Sequence, residues 1–323
     1  DPRVDAMNRR DGRDWELSSL IPRLRVRPGS RTPSVPRTNP MVPSRRLLLK
    51  HLAFRAGTLA PLGGLISTAP DGTVEVCWPE VELRARRLAT GLLARGLRAG
   101  ERVGTLAFND HRHADAYFAV PCLGATLHPI NVRWNLQETS TVLEHTRDRI
   151  LFVDAGLMTR GLELAATCPW IEVIVRLGPP LDDEPDNPRP DTLEIIDHEA
   201  LLDAAEPIAA WPDLEEDALM GMCSTSGTTG IPKTVAYSHR TTCLQTMALG
   251  LTDCMRLSGR DTVLAIVPMF HALGWCFPYA CGMLGAGLVL PHRDLRPERI
   301  LDLITTHEVT TSVAVPTVWN AVL

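Results

Sequence analysis

The chain reads as an α/β protein built on parallel sheet. Short β-branched apolar runs alternate with helix-length amphipathic segments over most of its length. Some runs are apolar almost throughout, as strands covered on both faces are, Ile171–Leu177 above all. At 323 residues, 45% hydrophobic and 22% charged, the chain is long enough to bury large cores in more than one lobe.

The elements follow in order. Pro79 to Arg98 reads as a helix: Val81, Ala85, Leu88 and Leu92 make one apolar stripe, arginines fill the other face, and Gly96 and Gly100 stand where a C-terminal cap belongs. A strand at Val103–Ala107 leads to a helix around Ala114–Leu123, then to strands near Thr126–Ile130, Ile150–Val153 and Ile171–Leu177. Gly178 to Asp191 holds five prolines and five acids and reads as a solvated linker. Beyond it come a strand at Ala218–Cys223, a helix from about Arg240 to Met255, and strands at Thr262–Val267, Gly287–Leu290 and Thr310–Val315, with a helix at Pro297–His307. The expected division is 1–45 as a disordered extension, 46–177 as a first lobe, 178–191 as linker and 192–323 as a second lobe.

Charge is uneven. The first fifty residues carry 12 basic and 5 acidic groups within a net charge of −5 for the whole chain. This Arg-, Pro- and Ser-rich start has no apolar periodicity and is expected to be disordered. Three readings compete for it: upstream sequence, an organelle-targeting segment, or a nucleic-acid-binding arm; its acids and seven prolines do not suit a transit peptide, and the first is preferred. No stretch reads as a transmembrane helix; the weakly charged run from Gly274 to Pro291 holds two prolines and four glycines and is taken as interior. Eight cysteines show no Cys-x-x-Cys pair and no zinc spacing, which fits buried thiols in a reducing, cytoplasmic setting. No nucleic acid is expected as a partner of the folded part.

Arginine occurs 31 times and lysine twice. One of the two lysines closes the run Ser224-Thr225-Ser226-Gly227-Thr228-Thr229-Gly230-Ile231-Pro232-Lys233. Glycines let backbone N–H groups approach oxygens, hydroxyls add donors, and an ammonium supplies a compact movable charge: a loop suited to a polyphosphate. It is neither a Walker A loop, which needs glycine where Pro232 stands, nor a dinucleotide fingerprint, whose glycine spacing Gly227 and Gly230 do not supply.

Thr225 through Lys233, with Ser238-His239-Arg240 in register behind, resemble the signature loop of the adenylate-forming (AMP-binding) enzymes: acyl-CoA synthetases, luciferases and peptide-synthetase adenylation domains. A second stretch, Val267-Pro268-Met269-Phe270-His271-Ala272-Leu273-Gly274-Trp275-Cys276-Phe277-Pro278-Tyr279, resembles the fatty-acyl-CoA ligase branch. A third, from Glu101 through Asn109 and Tyr117 to Gly124 and on to Arg133, supports the same branch; read alone, its His128, Asn131 and Arg133 are equally well turn residues. The resemblance runs from about residue 46 to the end.

This resemblance implies two sheets flanked by helices, as in the family's large N-terminal domain, with the active site at their junction. It implies that Thr225, Ser226, Gly227, Thr228, Thr229, Gly230 and Lys233 hold ATP phosphates, with Lys233, Thr228 and His271 catalytic and His271, Trp275 and Phe270 on the acid. ATP with Mg2+ and a carboxylic, fatty-type acid would give an acyl-adenylate, which the thiol of coenzyme A would attack to give acyl-CoA and AMP. Metal ligands are not assigned, and homodimerisation of a full-length enzyme is left open. Two positions depart from the pattern. Ser224 stands where tyrosine is frequent. Thr234 stands where glycine is usual, and a β-branched residue there is expected to distort the loop exit and weaken ATP binding. The family's downstream motifs and lysine-bearing C-terminal domain do not occur in 1–323, so the chain is expected to be an N-terminal portion with little adenylation of its own. The rival expectations are a non-catalytic remnant and a fatty-acyl-AMP ligase delivering to a carrier protein.

Overall fold

The computed structural model describes residues 46–181, 190–225 and 233–323. The expectations for residues 1–45, and for most of the linker, lie outside them. In chain order the strands are β1 (Gly64–Ala69), β2 (Gly72–Cys77), β3 (Arg102–Leu106), β4 (Thr126–Pro129), β5 (Ile150–Asp154) and β6 (Val173–Leu177), then β7 (Glu194–Asp197), β8 (Leu219–Thr225), β9 (Lys233–Ser238), β10 (Thr262–Leu264), β11 (Gly287–Leu290) and β12 (Thr311–Ser312).

They form two sheets. One has seven strands in the order β7-β6-β5-β3-β4-β8-β9; the other has five, β12-β10-β11-β1-β2. Pairing is parallel except at one edge of each sheet, where β9 runs antiparallel to β8 and β2 to β1. The α/β class and its two sheets are therefore as expected. Each sheet, however, draws strands from both sides of the 178–191 segment, so chain order does not divide the sheets.

Apolar pattern explains the layering. The helix Trp78–Ala94 buries Val81, Ala85, Leu88 and Leu92, the stripe read from sequence, and stops four residues short of Arg98, where Gly96 turns the chain at φ +73°. The helix His111–Cys122 is buried along its whole length and packs on β4 and β8 of one sheet and β1 of the other. Its start is set by Asp110, whose side chain accepts from the N–H of Arg112 at 2.7 Å. The largest core surrounds these two helices, between the sheets. A second core lies beneath the helices Leu136–Thr146 and Met158–Thr167, and a third beneath Pro297–Thr306 and Pro316–Val322. Among the described residues no helix is long and apolar enough to cross a membrane. The weakly charged run 274–291 is folded into the main core apart from Trp275 and a few partly buried positions.

Two buried features set stability. A Cβ at Gly282 would lie 2.2 Å from the carbonyl oxygen of Ala53, so the helix Phe277–Leu284 and the segment after the 3-10 turn Leu49–His51 touch backbone to backbone. Gly282→Ala should lower unfolding free energy by about 1–3 kcal/mol, read from urea midpoints. His113 is fully buried, its ring nitrogens 2.8 Å from Thr105 Oγ1 and from the Phe108 carbonyl oxygen, and burial pushes its pKa down to about 4. The unfolded chain takes up that proton near pH 6.5 and the folded one does not. Its contribution is thus present above pH 6.5 and lost as pH falls towards 4. His113→Gln should flatten stability against pH in that window by up to about one proton, worth up to about 3 kcal/mol at its acid end.

Candidate active site

The carboxyl ends of the strands in both sheets converge on one cleft. This is where parallel α/β sheets present ligands, because strand ends splay into loops there. Ala69 at the end of β1, Asp154 at the end of β5, Leu177 at the end of β6 and His292 just past β11 line a single cavity.

Polar side chains stitch the junction. Asn109, just past β3, is buried and fully used. Its amide nitrogen donates to the carbonyls of Ala265 (2.7 Å) and Val267 (3.0 Å), its side-chain oxygen accepts from the N–H of Met269 (2.7 Å), and its own carbonyl accepts from His292 N–H (2.9 Å). The Tyr117 hydroxyl donates to the Met269 carbonyl, and Tyr279 donates to Tyr117 O at 3.1 Å. Both polar groups of the Met269 backbone are thereby held, which fixes the Phe270-His271 segment that follows. Nearby, His292 Nε2 lies 2.8 Å from Asp154 Oδ2, and Ser67 of β1 donates to Asp110 at 3.3 Å. Burial alone would raise the Asp110 pKa; the charges of His111 and Arg112 outweigh it and hold the carboxyl below its usual range.

The predicted phosphate loop hangs from the edge hairpin. Thr225 ends β8, Lys233 begins β9, and the two are register partners, Thr225 Oγ1 donating to Lys233 O at 3.4 Å. Both are exposed. The predicted residues Ser226, Gly227, Thr228, Thr229 and Gly230 lie outside the described residues. Thr234 sits in β9 opposite Ser224 and is not among the residues of positive φ.

Of the predicted acid-site residues, Phe270 and Trp275 line two different cavities and His271 lines neither. Phe270 is buried and lines one with Phe108, Asn109, Arg133, His292 and Arg293. Trp275 lines another, of about 490 Å³, with Tyr237, Thr241, Gln245, Leu273 and Cys276. His271 is exposed and its N–H donates to Pro268 O. Between them the backbone turns left-handed for five residues, Ala272 to Cys276, with φ from +45° to +62°. Only glycine adopts that without penalty, yet one of the five is glycine. The Leu273 N–H, donating to Cys223 Sγ at 3.2 Å, ties the turn to β8, and Trp275 is left 44% exposed at its crest. Burial pushes the Cys223 thiol up to about 11 and Cys276 to about 12, so neither is a thiolate near neutrality.

Of the three turn candidates, Asn131 is one, accepting from Arg133 N–H at 3.0 Å. His128 is not: it is a fully buried strand residue 2.6 Å from Asp148. Sequence reading missed Asp154, His292 and Arg293, whose lone signal was their place just past apolar strands. Among the described residues no group of three or more His, Cys, Asp or Glu side chains is placed to hold a metal ion, so no step is assigned to Mg2+ on protein ligands.

In fold, the chain matches ATP-bound MatB from Rhodopseudomonas palustris (TM-score 0.68, 23% identity, 86% of this chain and 51% of that one) and the anthranilate CoA ligase AuaEII in complex with anthranoyl-AMP (TM-score 0.71, 22% identity, 84% and 51%). The two-sheet fold is shared with both. Residues 65–323 match the AMP-binding enzyme family, and the chain belongs to it. It is 36% identical over 279 residues to the medium-chain-fatty-acid–CoA ligase of Ectopseudomonas oleovorans, covering 86% of this chain and 50% of that protein. It is 39% identical over 268 residues to the long-chain-fatty-acid–CoA ligase of Thermus thermophilus (83% and 47%), and 39% over 278 to the 3-methylmercaptopropionyl-CoA ligase of Ruegeria pomeroyi (86% and 51%). The chain thus spans about half the length of these curated relatives.

Asn109→Leu keeps much of the side-chain volume but orphans two carbonyls and one N–H. It should lower unfolding free energy by about 3 kcal/mol or more, measured by urea denaturation.

Proposed function

We propose that this chain carries the acid- and ATP-binding part of an acid–thiol ligase. The carboxylate oxygen attacks the α-phosphorus of ATP, the α–β bridging bond breaks, and pyrophosphate leaves. The thiol of coenzyme A then attacks the acyl carbonyl and AMP departs. Because the substrate is itself the nucleophile, the protein's contribution is positioning and charge neutralisation. What supports this most is the hairpin: β8 and β9 bring Thr225 and the Lys233 ammonium together in register at the two ends of a hydroxyl- and glycine-rich loop. Ser226 to Gly230 are assigned to phosphate oxygens with Lys233 beside them, and ATP arrives as its magnesium complex.

The acid is assigned to the cavity beside Trp275. Its lining mixes Leu273, Ala272 and Cys276 with Tyr237 and neutral polar groups and includes no carboxylate. An amino acid's buried ammonium would need one. A carboxylic acid with an apolar tail is therefore the substrate class, in keeping with the names of the fatty-acid ligases above. The exposed Trp275 lies where a side chain can cover the cavity mouth, and His271 stands two turn residues ahead of the Leu273 wall. A cytoplasmic setting belongs to the same reading and fits eight free cysteines.

Lys233→Ala should weaken MgATP binding to the chain by roughly 10- to 100-fold in isothermal titration, the loss expected of one charge-assisted contact. An affinity equal to that of the parent would remove the assignment of the ammonium to phosphate.

A further inference from the structure

The two departures from the family pattern meet in space. Ser224 and Thr234 are register partners across β8 and β9, one pair behind Thr225 and Lys233. Their hydroxyl oxygens are 2.8 Å apart. Behind them Ser224 Oγ lies 3.4 Å from His128 Nε2, and His128 Nδ1 lies 2.6 Å from Asp148 Oδ2. Imidazole and carboxylate are both 0% exposed, whereas Thr234 stands at the surface. Four side chains from three strands and the end of a helix–strand turn thus form a hydrogen-bonded series from the sheet interior to the loop mouth.

Direction follows from chemistry. A carboxylate only accepts, so His128 Nδ1–H donates to Asp148. In the neutral imidazole Nε2 is then an acceptor, and the Ser224 hydroxyl donates to it. Ser224 in turn accepts from Thr234. Ser224 thus donates once and accepts once, and a cross-strand hydroxyl pair of this kind locks two strands at a set spacing.

We infer that Ser224 and Thr234 are positioning residues: a hydroxyl clasp, backed by His128 and Asp148, that sets the gap between the two ends of the phosphate loop. The inference rests on the proposed phosphate-binding role only for its functional consequence. Here a short hydrogen bond joins the two strands. Glycine at 234 would leave Ser224 with the longer bond to His128 alone.

The test compares Ser224→Ala, Thr234→Val, the double variant and Thr234→Ser in the 1–323 chain, by MgATP titration and by hydrogen exchange of the amides from Thr225 to Val235. Either single variant should weaken MgATP binding about 3- to 10-fold and speed exchange at the mouth by a similar factor. The double variant should lose no more than either alone, Thr234→Ser should return to within about twofold of the parent, and exchange in β5 should not move. Additive losses, or exchange at the mouth equal to the parent's, would overturn the clasp. If the parent itself takes up no MgATP, the phosphate-binding reading fails, while hydrogen exchange still decides the clasp.

Discussion

Much of this molecule turns on the side-chain amide of Asn109. It stands where one sheet ends and the other begins, and it is the right length to reach three backbone groups of the facing segment at once. A buried amide left partly unpaired costs more than a paired one gains, so such a group is specific before it is stabilising. Its three partners belong to residues 265 to 269, so the contact fixes the approach of the two sheets and the entry of the Phe270-His271 segment together. The surrounding links, His292 to Asp154 and Ser67 to Asp110, tie the same seam at other strand ends. A close-packed apolar core excludes water without naming a partner for each atom, whereas a seam of short directional bonds fixes which groups meet.

The seam explains why the site is polar at its floor and apolar at its flank. The cavities beneath the strand ends gather Arg293, Arg112 and Arg133 together with Asp71, Asp110 and Asp154. The cavity beside Trp275 is built instead from a helix face and the left-handed turn. Charge sits over one and apolar surface over the other, with the loop-bearing hairpin at the edge.

How much of this could be read from the chain alone depended on distance along it. The helix Trp78–Ala94 was legible because its apolar stripe lies within one segment, and β11 emerged at Gly287–Leu290 as expected because glycine bounds it. The hairpin of β1 and β2 went unread, although Pro70-Asp71-Gly72 marks a turn between β-rich flanks. Sheet membership was illegible since partners such as β1 and β11 are remote in sequence. The role of His128 stayed open because nothing local announces Asp148. The five-residue left-handed turn had no signal at all: alanine, leucine, tryptophan and cysteine do not advertise positive φ. The loop motif was the clearest chemical statement in the sequence, and its placement came only through the strands on either side.

The shared five-stranded sheet has a consequence for biosynthesis. Thr68 and Leu290 touch across neighbouring strands although they are 222 residues apart. At ribosomal speeds of about 5 to 20 residues per second, the first hairpin waits on the order of ten to forty seconds for its neighbour. During that interval β1 presents an unpaired edge to the cell, a surface that other nascent strands can join. Slow emergence of the second half would therefore lengthen the time over which that edge is open to aggregation.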